Sequence, residues 1–173
     1  MTLVLSLFPG IGLLDHAFEA EGFCVVRGPD VLWGGDIRTF HPPSDRFDGV
    51  IGGPPCQRWS RLANLVRHVH GEDALAPDLI PEFERCVSSA QPAWFLMENV
   101  PEAPPAKVGG YDVHTLVLNN RTIDRGDGIG QAQQRRRRWS FGTPDGRRLD
   151  LAPELAVLDP HSGLCRDSWH IVS

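Results

Sequence analysis

The sequence predicts an α/β fold with a mostly parallel, doubly wound sheet, and three observations carry that prediction. Short apolar runs recur as "LVLSLF" (3–8), "CVVRG" (24–28), "FDGVIGG" (47–53) and "AWFLMENV" (93–100). Continuous runs of this length suit strands buried in a sheet core. The first two flank a glycine-rich break and a stretch of helical period, which together make a βαβ unit and imply parallel strands. Polar and acidic residues then follow the runs, at the carboxyl ends where open α/β sheets bind ligands.

The elements follow in order. "PGIG" breaks the first strand, and "LLDHAFEAEGF" (13–23) places Leu13, Leu14, Ala17 and Phe18 on one helical face, with Gly22 as its stop. Residues 57–77 are polar and basic with no clean period, and are expected to form a long mobile loop with one helical turn. "DLIPEFERCVSSAQP" (78–92) reads as a helix through Leu79, Ile80, Phe83, Cys86 and Val87, ended by Pro92. "PEAPPAKVGG" (101–110) is a loop, and "DVHTLVLN" (112–119) and "RRWSFGT" (137–143) complete the sheet as a candidate antiparallel pair. No repeat and no domain boundary stands out.

With 173 residues, 41% of them hydrophobic, the chain suits a single core. It contains no apolar run near the ~18 residues that a membrane span requires. The apolar N-terminus lacks the basic leader and small-residue cleavage site of a signal peptide, so a cytoplasmic location with reduced thiols is expected. Cys24, Cys56, Cys86 and Cys165 form no C-x-x-C pair, which argues against a zinc site or redox couple. The formal net charge is −5, yet residues 115–148 hold eight arginines against three aspartates. This basic segment is either a solvated arginine run or a face that meets a polyanion.

Five constellations are candidates for chemistry. "FPGIG" (8–12) is a turn that lets backbone approach a ligand at a helix N-terminus, although the full G-x-G-x-x-G fingerprint is absent. Asp30, after the second strand, is placed to take ribose hydroxyls, with Trp33 near enough to stack on a base and Asp36 close behind. "GGPPCQRWS" (52–60) restricts the backbone ahead of Cys56, as a nucleophile's placement would require. "MENV" (97–100) ends a strand with Glu98 and Asn99, and a carboxyl there suits a proton donor. In "GIGQAQQRRRRWSFG" (128–142) strand alternation sets Arg135 and Arg137 on one face and Arg136 and Arg138 on the other. Two arginines entering a pocket can hold a carbonyl or a phosphate. Singly, each has an ordinary reading as well: a common turn, an inert cysteine, polar residues closing a strand.

Together and in this order the motifs resemble the cytosine-5 DNA methyltransferases. The match runs from about Leu3 to Gly142. It rests on "LFPGIG", "GPPCQRWS", "ENV" and "QQRRR" (133–137), with Gly142 at the expected distance. The resemblance implies a Rossmann-like S-adenosylmethionine-dependent methyltransferase domain over 1–145, with 146–173 as an irregular extension. It implies S-adenosylmethionine at the turn through Phe8, Gly10, Ile11 and Gly12, its ribose on Asp30, and its adenine flanked by Trp33 or Ile37 with Asp36 at the edge. Pro54 and Leu79 would complete that site.

The resemblance further implies that Cys56 attacks carbon 6 of a flipped cytosine, Glu98 bonds ring nitrogen 3 and the amino group, and Asn99 orders the loop near Cys56. Arg135 and Arg137 would hold the pyrimidine and the loop, with Gln57, Ser60, Arg61 and Gln133 also facing the DNA. Residues 57–77 would close over it. The family's proline before the Gln-x-Arg-x-Arg motif is Ala132 here. After Gly142 the chain shows neither a recognisable target-recognition region nor a Gly-Asn-x-Val motif. The expectation is thus a compact enzyme of restriction-modification or phage type with low or short sequence specificity. The alternatives are a catalytic half completed by a partner chain, or a cofactor- or nucleic-acid-binding module without turnover.

Overall fold

A computed structural model describes residues 2–59, 61–72, 75–121 and 133–149, and for Arg61, Leu62 and Asn64 the backbone alone. The chain divides into two compact units. One comprises Met1–Val117 and Arg137–Leu149; the other comprises Leu118–Arg136 and Asp150–Ser173. In the second, the described stretches meet where the Asn120 amide donates to the Arg135 carbonyl.

Among the described residues six strands form one sheet: β1 (Leu3–Leu7), β2 (Cys24–Arg27), β3 (Gly49–Gly52), β4 (Trp94–Asn99), β5 (Asp112–Asn119) and β6 (Arg136–Thr143). Their order is β2-β1-β3-β4-β6-β5. β1 lies parallel to both β2 and β3, and β3 parallel to β4, while β6 runs antiparallel to β4 with Glu98 opposite Trp139. The predicted α/β class therefore holds. The chain leaves β1 toward β2 on one side and returns to β3 on the other, so the topological switch point lies between β1 and β3. Open sheets of this kind bind ligands beyond the strand ends at that point.

The strands' side-chain alternation assigns the helices to opposite faces. Leu5 and Leu7 of β1, Val50 of β3 and Phe95 and Met97 of β4 join one core with α3 (Ile80–Ala90), which contributes Ile80, Phe83, Cys86, Val87 and Ala90. On the other face, Phe18 of α1 (Leu13–Ala20) stacks on Trp94 at 5.9 Å and meets Phe23 edge-on at 5.2 Å.

Gly142 of β6 lies against the buried Phe95 ring, and a Cβ there would fall 2.2 Å from Phe95 Cε1. With Phe95 fully enclosed, no neighbour can yield cheaply. Gly142→Ala is expected to cost ~1–3 kcal/mol through overpacking, read as a lower urea midpoint with unchanged slope.

Residues 57–77 differ from expectation. Gln57–Trp59 form a single 3₁₀ turn, and Arg61–His70 form a true helix, α2. Leu62, Leu65, Val66 and Val69 recur at i, i+3, i+4 and i+7, which is a helical stripe. The arginines and histidines between them hid it. Leu65 and Val69 are each 59% exposed. No helix among the described residues is long and apolar enough to cross a membrane.

Candidate active site

The turn after β1 takes an unusual backbone path. Phe8, Gly10 and Gly12 all have positive φ, at 57°, 55° and 79°. Glycine accepts this region freely; a phenylalanine does so only where its surroundings hold it. Gly12 then caps α1 with no side chain bonded to the first-turn amides, leaving that end of the helix open to a ligand. Trp33 lies across the turn, its Nε1 donating to the Gly10 carbonyl at 3.2 Å.

Asp30 faces the turn from the end of β2. Its Oδ2 accepts from the Gly10 amide at 2.9 Å and its Oδ1 from the Leu32 amide at 2.8 Å. Each carboxylate oxygen keeps a second lone pair for a hydroxyl. Asp36 opens the next 3₁₀ turn (Ile37–Thr39) and is gripped by the Arg38 side chain through both carboxylate oxygens. Those hydrogen bonds hold its carboxyl below the usual carboxylate range. From α3, Arg85 donates to the carbonyls of Ile37 and Phe40 at 2.8 and 3.0 Å, fixing this turn on the body of the fold.

Phe8, Asp30, Asp36, Ile37 and Leu79 together line a cavity of about 140 Å³. Its walls are largely apolar, with the carboxylates of Asp30 and Asp36 at two points. Gly10, Ile11, Gly12, Trp33 and Pro54 are not in the cavity wall, and Ile11 and Trp33 are 80% and 74% exposed. The wall instead includes Pro55 and Arg38, which sequence reasoning passed over. Pro55 immediately precedes Cys56, so the cavity adjoins the thiol's own loop.

That loop follows β3 at the switch point and is held from β4. Asn99, buried, donates from Nδ2 to the Pro54 carbonyl at 3.2 Å, while its Oδ1 takes the Val100 amide at 2.8 Å. Glu98, one residue earlier on β4, pairs through Oε1 with Arg137 Nε at 2.6 Å. Its Oε2 lies beside Gly53, where a Cβ would stand 3.4 Å away. Arg138 turns the other way and donates to the Ala103 carbonyl, as strand alternation requires. Gln57 begins the 3₁₀ turn that closes behind Cys56, where the Trp59 amide reaches the Cys56 carbonyl at 2.9 Å. Ser60 lies outside the described residues, as does the Arg61 side chain. Gln133 and Arg135 belong to the second unit and are exposed there. No group of three or more His, Cys, Asp or Glu side chains that could hold a metal occurs among the described residues.

A family model for C-5 cytosine-specific DNA methylases matches residues 34–157. The chain belongs to this family. Its relatives include the type II methyltransferase M.NgoPII of Neisseria gonorrhoeae, 35% identical over 115 residues, covering 56% of this chain and 33% of that protein. M.HgiGI of Herpetosiphon aurantiacus is 35% identical over 125 residues, covering 60% of this chain and 94% of that one. Among solved structures, a DNA modification methyltransferase encoded within an E. coli prophage shares the fold. Its TM-score is 0.57 at 23% identity, covering 88% of this chain and 49% of the other. The chain spans about a third of the length of the first relatives it matches.

The three described cysteines of this C-5 methylase family member differ in access. Cys86 is fully buried, and burial pushes its thiol up from the ordinary range. Cys24 and Cys56 are partly exposed. Alkylation under native conditions, read by peptide mass mapping, is expected to label Cys56 and Cys24 while sparing Cys86 until the protein is unfolded.

Proposed function

We propose that the chain is the catalytic unit of a DNA cytosine-5 methyltransferase that joins Cys56 covalently to its target base. The observation that carries the reading is the junction of β3 and β4. There the Cys56 loop is tied by Asn99 to the strand end that presents Glu98 paired with Arg137. S-adenosylmethionine, when bound, supplies the methyl group. In the cavity, Asp30 takes ribose hydroxyls, Asp36 meets the adenine edge and Phe8, Ile37 and Leu79 enclose the apolar parts.

On this reading the target cytosine leaves the helical stack, because neither face of its ring is otherwise accessible. The Cys56 sulfur forms a bond to ring carbon 6. Glu98 donates a proton to ring nitrogen 3 and accepts from the exocyclic amino group, so negative charge does not build up on the ring as the electron pair becomes available at carbon 5. Carbon 5 gains the methyl group and then gives its proton to a solvent base. The electrons of that C–H bond restore the ring double bond as the carbon–sulfur bond breaks, which frees Cys56. Arg137 keeps the Glu98 carboxyl oriented through each step. Residues 57–77 exclude water over the site, and a cytoplasmic location suits the DNA substrate.

A second form of the reading, in which a partner chain completes the enzyme, draws support from exposed apolar side chains beside the turn. Leu13, Val31 and Leu32 are 63–76% exposed, in addition to Ile11 and Trp33. Groups of this kind mark interaction surfaces. Expression of the chain alone in a host without cytosine methylation, followed by mapping of 5-methylcytosine, separates the cases. Methylation supports an autonomous enzyme. Cofactor binding without methylation favours a partner-dependent half, and failure of calorimetry to detect any cofactor binding would sink both.

A further inference from the structure

A buried carboxylate that this mechanism leaves unused lies beneath the Phe8–Gly12 turn. Asp15, in the first turn of α1, has no exposed surface. Its Oδ1 accepts from Ser6 Oγ at 2.5 Å and its Oδ2 from Arg27 Nε at 2.9 Å. Ser6 stands on β1 two residues before Phe8, and Arg27 ends β2 three residues before Asp30. One carboxylate therefore joins the three segments that carry the turn, the helix start and the acid facing them.

Gly12 rests on this network. A Cβ at Gly12 would stand 3.1 Å from Arg27 Nη2 and 3.7 Å from Asp15 Oδ2. Helix capping does not account for the carboxylate, because its hydrogen bonds run to the two strands and not to the first-turn amides. A serine hydroxyl inside an apolar strand and an enclosed carboxylate are each costly unless paired. Their pairing here coincides with a backbone that also needs support, since Phe8 sits in the left-handed region.

Two other polar contacts hold the turn, the Gly10 amide on Asp30 Oδ2 and the exposed Trp33 Nε1 on the Gly10 carbonyl. On the reading above, that same carboxylate receives the ribose, so the Asp30 anchor is shared as ligand arrives. The Asp15 anchor bonds only Ser6 and Arg27, none of which lines the cavity, so the ligand leaves it untouched. We propose that Asp15, acting through Ser6 and Arg27, is the positioning residue that keeps the Phe8–Gly12 turn in its ligand-ready conformation. The inference rests on the reading that this turn holds S-adenosylmethionine.

The test uses the full chain and S-adenosylhomocysteine as calorimetric probe, with amide exchange at residues 10–14 and thermal melting measured alongside. Ser6→Ala and the partly exposed Arg27→Gln are chosen because each removes one bond and leaves the carboxylate its other partner. Each is expected to raise Kd by ~10-fold, within the range that small misplacements produce, and to speed exchange at residues 10–14. Arg27→Lys is expected to recover part of the affinity. A lower melting temperature with unchanged Kd and unchanged local exchange would show Asp15 to be merely structural, and overturns the proposal. Failure of the unaltered chain to bind the probe overturns the functional reading instead, and this inference with it.

Discussion

Cys56→Ser is expected to abolish methyl transfer, lowering the rate by roughly 10⁴- to 10⁶-fold, the scale on which loss of a covalent nucleophile acts. The argument begins with placement. The loop leaves β3 at the switch point, two prolines restrict its backbone, and Asn99 fixes the Pro54 carbonyl two residues before the thiol. A serine hydroxyl fits the same space but offers far less nucleophile at neutral pH than a thiol. Binding of S-adenosylhomocysteine should change little, because the cavity touches the loop at Pro55 and not at Cys56 itself. The decisive measurement is a denaturation-resistant adduct on DNA carrying 5-fluorocytosine, in which fluorine replaces the proton whose loss frees the enzyme. The unaltered chain, with a partner if one is required, should form it and Cys56→Ser should not. An adduct that persists in the variant would remove Cys56 from the mechanism.

The same loop shows how much of the protein was legible in its sequence. The six strands, β5 and β6 included, and the helices α1 and α3 were readable, because their apolar patterning reflects burial in and against a sheet. Helix α2 was not, because its stripe of Leu62, Leu65, Val66 and Val69 is diluted by charge, and Leu65 and Val69 are exposed. The contact between Asn99 and Pro54 spans 45 positions of sequence and exists only because β3 and β4 are neighbours in parallel register. A sequence without coordinates names both residues and cannot join them. Likewise, two adjacent prolines look equivalent on paper, and only the folded chain shows that Pro55 lines the cavity while the Pro54 carbonyl is held by Asn99. Ser6 was a readable signal that went unused: a lone hydroxyl in "LVLSLF" needs a buried partner, and Asp15 is that partner.

Glu98→Gln is expected to lower kcat by ~10²–10⁴-fold, the contribution typical of a positioned proton-transferring group, with cofactor affinity little changed. The substitution preserves shape and removes the charge that faces Arg137 at 2.6 Å. Arg137→Ala acts on the same pair from β6, leaving the Glu98 side chain in place without the guanidinium that orients it. If the pair works as a unit, the double variant will be only slightly worse than the worse single one, because each change already disables the shared function. Additive losses would instead mean that Arg137 meets the substrate independently of Glu98. Arg138→Ala is the control on the neighbouring face. Its side chain bonds to the Ala103 carbonyl, away from Glu98, and its loss should register in thermal stability and leave kcat largely intact. A kcat defect of equal size in Arg138→Ala would show that the strand as a whole, and not the Glu98–Arg137 pair, sets the rate.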